Sequence, residues 1–372
     1  MRRLLAAVAL ALVLPAVAHA ATPRLTDARA WYVVNASNGD VLVAHDARAS
    51  VPIASITKLM TVIVALRRLR PDDVVTVTAQ AAAVGESRIP LRAGQRITVH
   101  DLLEGALIQS ANDAADALAA AAAGGDIPRF VGWMNVRARE LGLRDTHFVR
   151  PDGLDAPGHV SSARDVATLA RIAMRLPVVR EIVAKRSDTI EDGTVTVHTW
   201  NDLLGVFPGL IGVKTGHTDD AGWCEVAAAR RPGYTIYAVV LGSPTRSQRN
   251  ADLARLLSWG VSEYKAVQLI RARTYAWAAA PYGRQPVPLV ARKPLRQVVR
   301  VGKPLLERIV APAAVQLPLR LGQPLGRVEI WRGRKLLGSR PLLAGRAVAK
   351  PGAAARLGWY AGRTMHHLAG IF

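Results

Sequence analysis

Ala54-Ser55-Ile56-Thr57-Lys58-Leu59-Met60-Thr61 combines a serine, a lysine three residues later and the start of an apolar period continued by Val62, Ile63 and Leu66. That period predicts a helix over 55–69 opening on S-x-x-K. Residues i and i+3 are neighbours on a helix, so the Lys58 amine can approach the Ser55 hydroxyl. A serine is a weak nucleophile at its own pKa and needs a base within ~3 Å. A lysine serves as that base where burial or a nearby cation lowers its pKa. The helix N-terminus adds positive potential, which favours the negative charge that forms on an acylated carbonyl. Taken alone, S-x-x-K recurs by chance, and a serine opening a helix is usually an N-cap.

Two further short patterns lie downstream. Ser110-Ala111-Asn112 follows the largely apolar stretch Leu102 to Ile108. In a non-helical turn its hydroxyl and amide can point to one side, one to relay a proton and one to hold a peptide; read alone, Ser-Ala-Asn-Asp is a helix cap. Lys214-Thr215-Gly216, extended by His217-Thr218, follows the apolar run Leu210-Ile211-Gly212-Val213. This reads as a strand whose glycine admits another backbone. As an edge strand it can pair with an extended peptide, while Lys214 and Thr215 offer charge and a hydroxyl to a carboxylate. In this order the three patterns match S-x-x-K, S-D-N and K-T-G, the signature of class A β-lactamases and penicillin-binding proteins. The intervals are 55 residues from Ser55 to Ser110 and 104 from Ser110 to Lys214, room for a helical insert between strands.

Around these patterns, Ala30-Val34 and Val41-Val43 flank Asn38-Gly39-Asp40, a hairpin signal. Helical periods follow at 55–69, 101–123, 127–141, 163–175 and 251–261, with strands at 194–198 and 234–241. Strands at both ends with helices between predict an α+β domain over residues 26–262. Beyond 264 prolines recur, helical periods fade, and 296–301, 314–319 and 327–331 read as strands, giving a small all-β domain over 264–350.

The N-terminus carries Arg2 and Arg3, an apolar run from Leu4 to Val17 broken by Pro15, and Ala18-His19-Ala20. Together these read as a secretory signal peptide over 1–20, since the run is shorter than the ~20 residues a membrane span requires. An exported chain permits disulfides, but Cys224 is the only cysteine and reads as a small buried apolar side chain. The net charge is +21; from Val261 onward 20 Lys and Arg stand against three acids. On an exported chain without a nucleic-acid motif, that balance points to an anionic membrane surface and away from nucleic acid. After Pro351-Gly352, residues 353–372 place Leu357, Ala361, Met365, Leu368, Ile371 and Phe372 on one helical arc, with Arg356, Arg363 and His366 opposite and Trp359 off the arc. This predicts an amphipathic anchor helix at the membrane interface. An ordinary helix docked on the β domain is the alternative.

Taken together, these stretches resemble the low-molecular-mass penicillin-binding proteins of the D-alanyl-D-alanine carboxypeptidase type. The resemblance also covers Asp152-Gly153-Leu154-Asp155, Ser161-Ser162-Ala163-Arg164-Asp165 and Ala221-Gly222. It implies a β-lactamase/DD-peptidase-like catalytic domain, an antiparallel sheet flanked by helices, followed by the β domain and the terminal helix. It also implies acylation of Ser55 by stem peptides ending in D-Ala-D-Ala and by β-lactams. Lys58 would take the Ser55 proton, and Ser110 with Lys214 would deliver one to the leaving amine. Asn112 would hold the substrate backbone, and Gly216 belongs to the third motif. The backbone N–H groups of Ser55 and His217 would form the oxyanion hole, and Thr215 with Arg249 would bind the terminal carboxylate, Arg246 being a second candidate. No metal or cofactor is implied. Two departures stand out: Ala111 replaces the usual glycine or aspartate, and Trp200 stands where members carry arginine. A D,D-endopeptidase of this family usually lacks the β domain and anchor. A class A β-lactamase would need an E-x-x-L-N segment between the second and third motifs, which is not found. An inactive murein- or membrane-binding scaffold is disfavoured by three intact motifs.

Overall fold

The computed structural model describes residues 5–12, 22, 23, 25, 27–191 and 193–369. The chain divides into two compact units, one running from Ala20 to Ser262 and the other comprising Glu263–Phe372 with the N-terminal segment. The proposed cleavage motif Ala18-His19-Ala20 and the last residues of the apolar arc lie outside the described residues.

The first unit is built on a five-stranded antiparallel sheet. Its strands are β1 (Ala30–Asn35), β2 (Val41–His45), β3 (Leu210–Thr218), β4 (Gly222–Arg231) and β5 (Tyr234–Ser243), in the order β2-β1-β5-β4-β3. The predicted hairpin forms: Gly39 takes φ +79°, and Asn38 Oδ1 accepts the Asp40 N–H at 2.9 Å. All six residues of β1 are buried, as expected of an apolar strand covered on both faces. β3, which carries Lys214-Thr215-Gly216, lies at the sheet edge.

Six helices matter for the site: α1 (Lys58–Ala65), α2 (Val99–Glu104), α3 (Asn112–Ala123), α4 (Ile127–Glu140), α5 (Ala163–Ala173) and α6 (Arg246–Ser262). Every residue of α1 is buried, as is most of the alanine-rich α3 packed beside it. α5 packs on β5 and β1, and α6 on β5, β4 and β1.

Several expectations need correction. The helix predicted over 55–69 is a 3₁₀ turn at Ala54–Thr57 followed by α1, which ends at Ala65. The helix predicted over 101–123 is broken. α2 passes into a single π turn, Gly105–Gln109, and Ser110 then adopts φ 63°, ψ 27° before α3 begins. Apolar periodicity runs through this corner, so the break was hidden; tertiary contacts impose it. The Asp113 carboxylate accepts N–H bonds from Ile89 and Leu91 and so ties the 87–91 segment to the start of α3. β4 was not predicted, because Cys224-Glu225-Val226-Ala227-Ala228-Ala229 lacks alternation; pairing with β3 and β5 makes it a strand. Residues 314–319 form isolated bridges, Ala314 to Ala279 and Leu319 to Val348, rather than a strand.

The second unit contains a six-stranded sheet in the order Leu5–Leu12, Leu305–Pro312, Pro324–Arg332, Lys335–Ala344, Val287–Ala291, Arg273–Ala278, with Tyr264–Ile270 paired to Leu295–Arg300 beside it. The apolar Leu5–Leu12 is thus an edge strand in the full-length chain, antiparallel to Leu305–Pro312. The helix Ala353–Ala369 closes the described chain. No helix among the described residues is long and apolar enough to cross a membrane.

One glycine holds the nucleophile turn in place. Gly153 has φ +85°, and a Cβ there would lie 2.3 Å from the Ala54 carbonyl oxygen. Gly153→Ala would therefore combine left-handed strain with a backbone clash. We expect a loss of at least ~2 kcal/mol in urea unfolding, together with slowed acylation of Ser55.

Candidate active site

Ser55 sits within the 3₁₀ turn, directly after Ala54, whose φ of 49° is left-handed and strained for a non-glycine residue. Lys58, fully buried, reaches back as the i,i+3 spacing predicts. Its Nζ donates to Ser55 Oγ, Asn112 Oδ1 and the Asp152 carbonyl, each at 2.7 Å. Burial pushes Lys58 down to about 8, against the upward pull of Asp152, Asp116, Glu86 and Asp113. About one molecule in ten therefore carries a neutral Lys58 amine at neutral pH. Loss of that proton leaves a lone pair 2.7 Å from Ser55 Oγ, the geometry of a general base.

A second serine–lysine pair faces the first. Lys214 Nζ donates to Ser110 Oγ at 2.7 Å and to its neighbour Thr215 O at 2.8 Å. Its burial, reinforced by the Lys58 charge, holds it well below the usual lysine range. The left-handed Ser110 turns its hydroxyl out of the helix path into this pairing. Asn112 has both ends engaged, Oδ1 on Lys58 and Nδ2 on Gly85 O at 3.0 Å, which leaves one amide hydrogen free for a ligand.

β3 lies against the nucleophile turn because position 216 has no side chain. A Cβ there would sit 3.0 Å from Ser55 N and from the Ile53 carbonyl. The next residue, His217, stacks its ring on Trp223 with centroids 4.1 Å apart. Of the two candidate arginines, Arg249 lines the cleft and is only 1% exposed, whereas Arg246 is bound to Asp202 at the surface. The cleft encloses about 200 Å³, lined by Ser55, Ser110, Asn112, Thr215, Gly216, His217 and Arg249, with Leu154, Trp200 and Trp223 as apolar walls. Trp200, at the position noted as a departure, is 43% exposed and donates its indole N–H to Gln109 O at 2.9 Å.

All nine residues singled out in the sequence therefore meet in or behind one cavity. Of five further contributors, only Asp152 lay in a stretch that the resemblance covers, and nothing there marked its part. Asp152 acts through its backbone carbonyl, which any residue possesses. Its carboxylate is clamped by Arg150 at 2.6 and 2.7 Å. His159, pushed down to about 4 by burial, accepts the Val149 N–H at Nδ1, so its Nε2 carries the hydrogen and donates to Thr57 Oγ1 at 2.8 Å. Asp116, one turn after Asn112 on α3, is pushed up to about 7 by burial. Glu225 lies against Arg249, and Trp223 forms a wall. Outside the cleft, His100, Asp101 and Glu104 cluster, but the Lys185 ammonium already sits 2.5 Å from Glu104 Oε1.

Comparison with known proteins identifies the family. The profile of the family described as D-alanyl-D-alanine carboxypeptidase matches residues 17–245. D-alanyl-D-alanine carboxypeptidase DacD of Salmonella typhimurium is 34% identical over 372 residues, 94% of each chain. The chain belongs to the D-alanyl-D-alanine carboxypeptidase family. Among solved structures of similar proteins, penicillin binding protein 6B of Escherichia coli superposes with a TM-score of 0.63 at 31% identity, over 88% of this chain and 98% of that one. The Streptomyces K15 DD-transpeptidase gives 0.61 at 31% identity, over 65% of this chain and all of that one. As a carboxypeptidase-family member the chain is a serine hydrolase.

With Lys58 as the base, only its neutral form can take the Ser55 proton, and acylation is expected to slow as pH falls through its pKa. With that pKa lowered to about 8, the acylation rate should fall about tenfold per pH unit below it and level off above it. Stopped-flow measurement of β-lactam acylation against pH checks this; a flat profile between about pH 6 and 8 would exclude Lys58 as the base.

Proposed function

We propose that this chain removes the terminal D-Ala from peptidoglycan stem peptides ending in D-Ala-D-Ala, through an acyl-enzyme on Ser55, and that β-lactams acylate the same serine. The observation that carries this reading is the pair of serines, each 2.7 Å from a fully buried lysine of lowered pKa, on either side of one cavity. The carboxypeptidase names of its relatives agree with it.

In this reading the peptide lies extended along the edge of β3, with Thr215 and Arg249 on its terminal carboxylate and the free Asn112 amide hydrogen on its backbone. Neutral Lys58 takes the Ser55 proton as Oγ attacks the carbonyl carbon of the penultimate D-Ala. The oxyanion accepts the N–H groups of Ser55 and His217. As the tetrahedral intermediate collapses, Ser110 Oγ gives its proton to the leaving amine and regains one from Lys214. Free D-Ala departs. The proton that Lys58 took passes through solvent in the cleft to the neutral Lys214, which restores both lysines. Water then attacks the ester with Lys58 again as base, and the proton Lys58 takes from that water returns to Ser55 Oγ as the ester bond breaks and the shortened peptide leaves. A β-lactam follows the first half of this path, but its leaving amine stays tethered in the opened ring.

We also propose export by the N-terminal segment and peripheral attachment, through residues 353–372, to the outer face of the cytoplasmic membrane. Leu357 and Tyr360 of the terminal helix are exposed, and Trp359 and Tyr360 form an aromatic cluster with Tyr282. The three acids after Val261 are turned inward: Glu263 faces Arg300, Glu307 faces Arg273 and Glu329 faces Arg327. The outer surface of this unit is therefore almost purely cationic, which suits anionic headgroups.

A fluorescent penicillin should label the wild type and not Ser55→Ala, and the wild type should release free D-Ala from a pentapeptide. Cleavage of cross-linked dimers with no D-Ala released would make it an endopeptidase instead. Deleting residues 353–372 should abolish sedimentation with anionic vesicles while leaving penicillin labelling intact; continued sedimentation would sink the anchor.

A further inference from the structure

Glu225 stands on β4 directly opposite Thr215 of β3 and is fully buried. Its Oε2 lies 3.1 Å from Arg249 Nε, yet neither of its oxygens accepts a hydrogen bond. The charged groups facing it are Arg249 and Arg246 from α6, Lys214 from β3 and Asp202 from the segment before β3. Arg249 is bound on one side only. Its Nε and Nη2 reach Asn250 Oδ1 at 3.1 and 2.6 Å, and Nη2 reaches Asp202 Oδ2 at 3.3 Å. Its Nη1 has no partner among the described residues, and the guanidinium lines the cleft.

We infer that Glu225 is a positioning residue which, acting through Arg249, couples capture of the substrate's terminal carboxylate to the uptake of one proton. This rests on the reading of Arg249 as the carboxylate-binding group. Two carboxylates, Glu225 and Asp202, already face that guanidinium. A substrate carboxylate arriving at Nη1 brings a third negative charge beside the buried Arg249 and Glu225, where repulsion is less screened than in open water. One of the resident carboxylates must then be neutralised. Asp202 is held ionised, chiefly by its hydrogen bonds with Arg246, and Asn250 adds another. Glu225 has no such donors, and burial has already pushed it up to about 7. It is the group that takes a proton from solvent, and protonation leaves the Arg249 charge to the substrate. The sign follows: substrate carboxylate raises the Glu225 pKa further, so binding weakens as pH rises above about 7.

The test uses the full chain with Ser55→Ala, so that ligand binds without reacting. Titration calorimetry with a tripeptide ending in D-Ala-D-Ala, in two buffers of different ionisation heat, counts protons. At about pH 7.5 we expect uptake of roughly half to three-quarters of a proton, and a Kd that weakens several-fold, up to tenfold, per pH unit above that. The same peptide ending in D-alaninamide should bind with no uptake. Adding Glu225→Gln or Glu225→Leu should abolish the uptake and flatten the Kd profile. No uptake in the Ser55→Ala protein overturns the inference without recourse to any Glu225 variant. Uptake that persists in both Glu225 variants, while Arg249→Ala loses binding, overturns it alone and assigns the proton to Lys214 or Lys58. Binding unchanged in Arg249→Ala would overturn the carboxylate reading of that arginine, and this inference with it.

Discussion

The buried ammonium of Lys58 is the constraint on which the site depends. Removing such a charge from water costs several kcal/mol unless its donors are met. Lys58 meets all three with acceptors from three separate segments: the nucleophile turn, the start of α3 and the loop at Asp152. Displacing any one would leave a buried N–H unbonded. The loop is held in turn by the Arg150–Asp152 pair, by Thr61 Oγ1 on Pro151 O and by the close approach of Gly153 to Ala54. The same burial that makes the ammonium organise its surroundings lowers its pKa into the range useful for a base. Structure and reactivity here have one cause.

A line of charges extends from that point across the sheet edge. Lys214 lies beyond Lys58, Glu225 beside Lys214, and Arg249 beside Glu225, with Asp202 at the end. All but the exposed Asp202 are buried, so their charges act on one another with little screening. The lysines are both pushed down and Glu225 is pushed up. In such a row a proton moved at one end is felt at the other, which is how a carboxylate-binding pocket and a general base can share one electrostatic field.

The second unit uses charge differently. Its few acids are internal and each faces an arginine. Burying each carboxylate beside a guanidinium avoids an unpaired interior charge and removes negative potential from the outer surface.

Much of the site was legible because its chemistry is local or ordered along the chain. Ser55 and Lys58 are one helical step apart, and the i,i+3 geometry brings them together wherever a helical turn forms. Ser110 and Lys214 were readable from motif order, and the N-G-D hairpin from turn chemistry. The corner at Ser110, the strand character of β4 and the work of the Asp152 carbonyl were not legible. The apolar period of 102–108 continues into a break that Asp113 and the 87–91 segment impose from outside. The alanines of β4 carry no alternation, and only pairing between two strands makes them sheet. Glu225 acquires a role once β4 lies beside β3 and α6 brings Arg249 over it. The sequence by itself determined which serines and lysines are candidates for nucleophile, base and relay, because the i,i+3 step of Ser55 and Lys58 and the order of the three motifs single them out. The tertiary structure decided their protonation and which arginine enters the cleft. Burial and long-range electrostatics arise only when distant segments exclude water together.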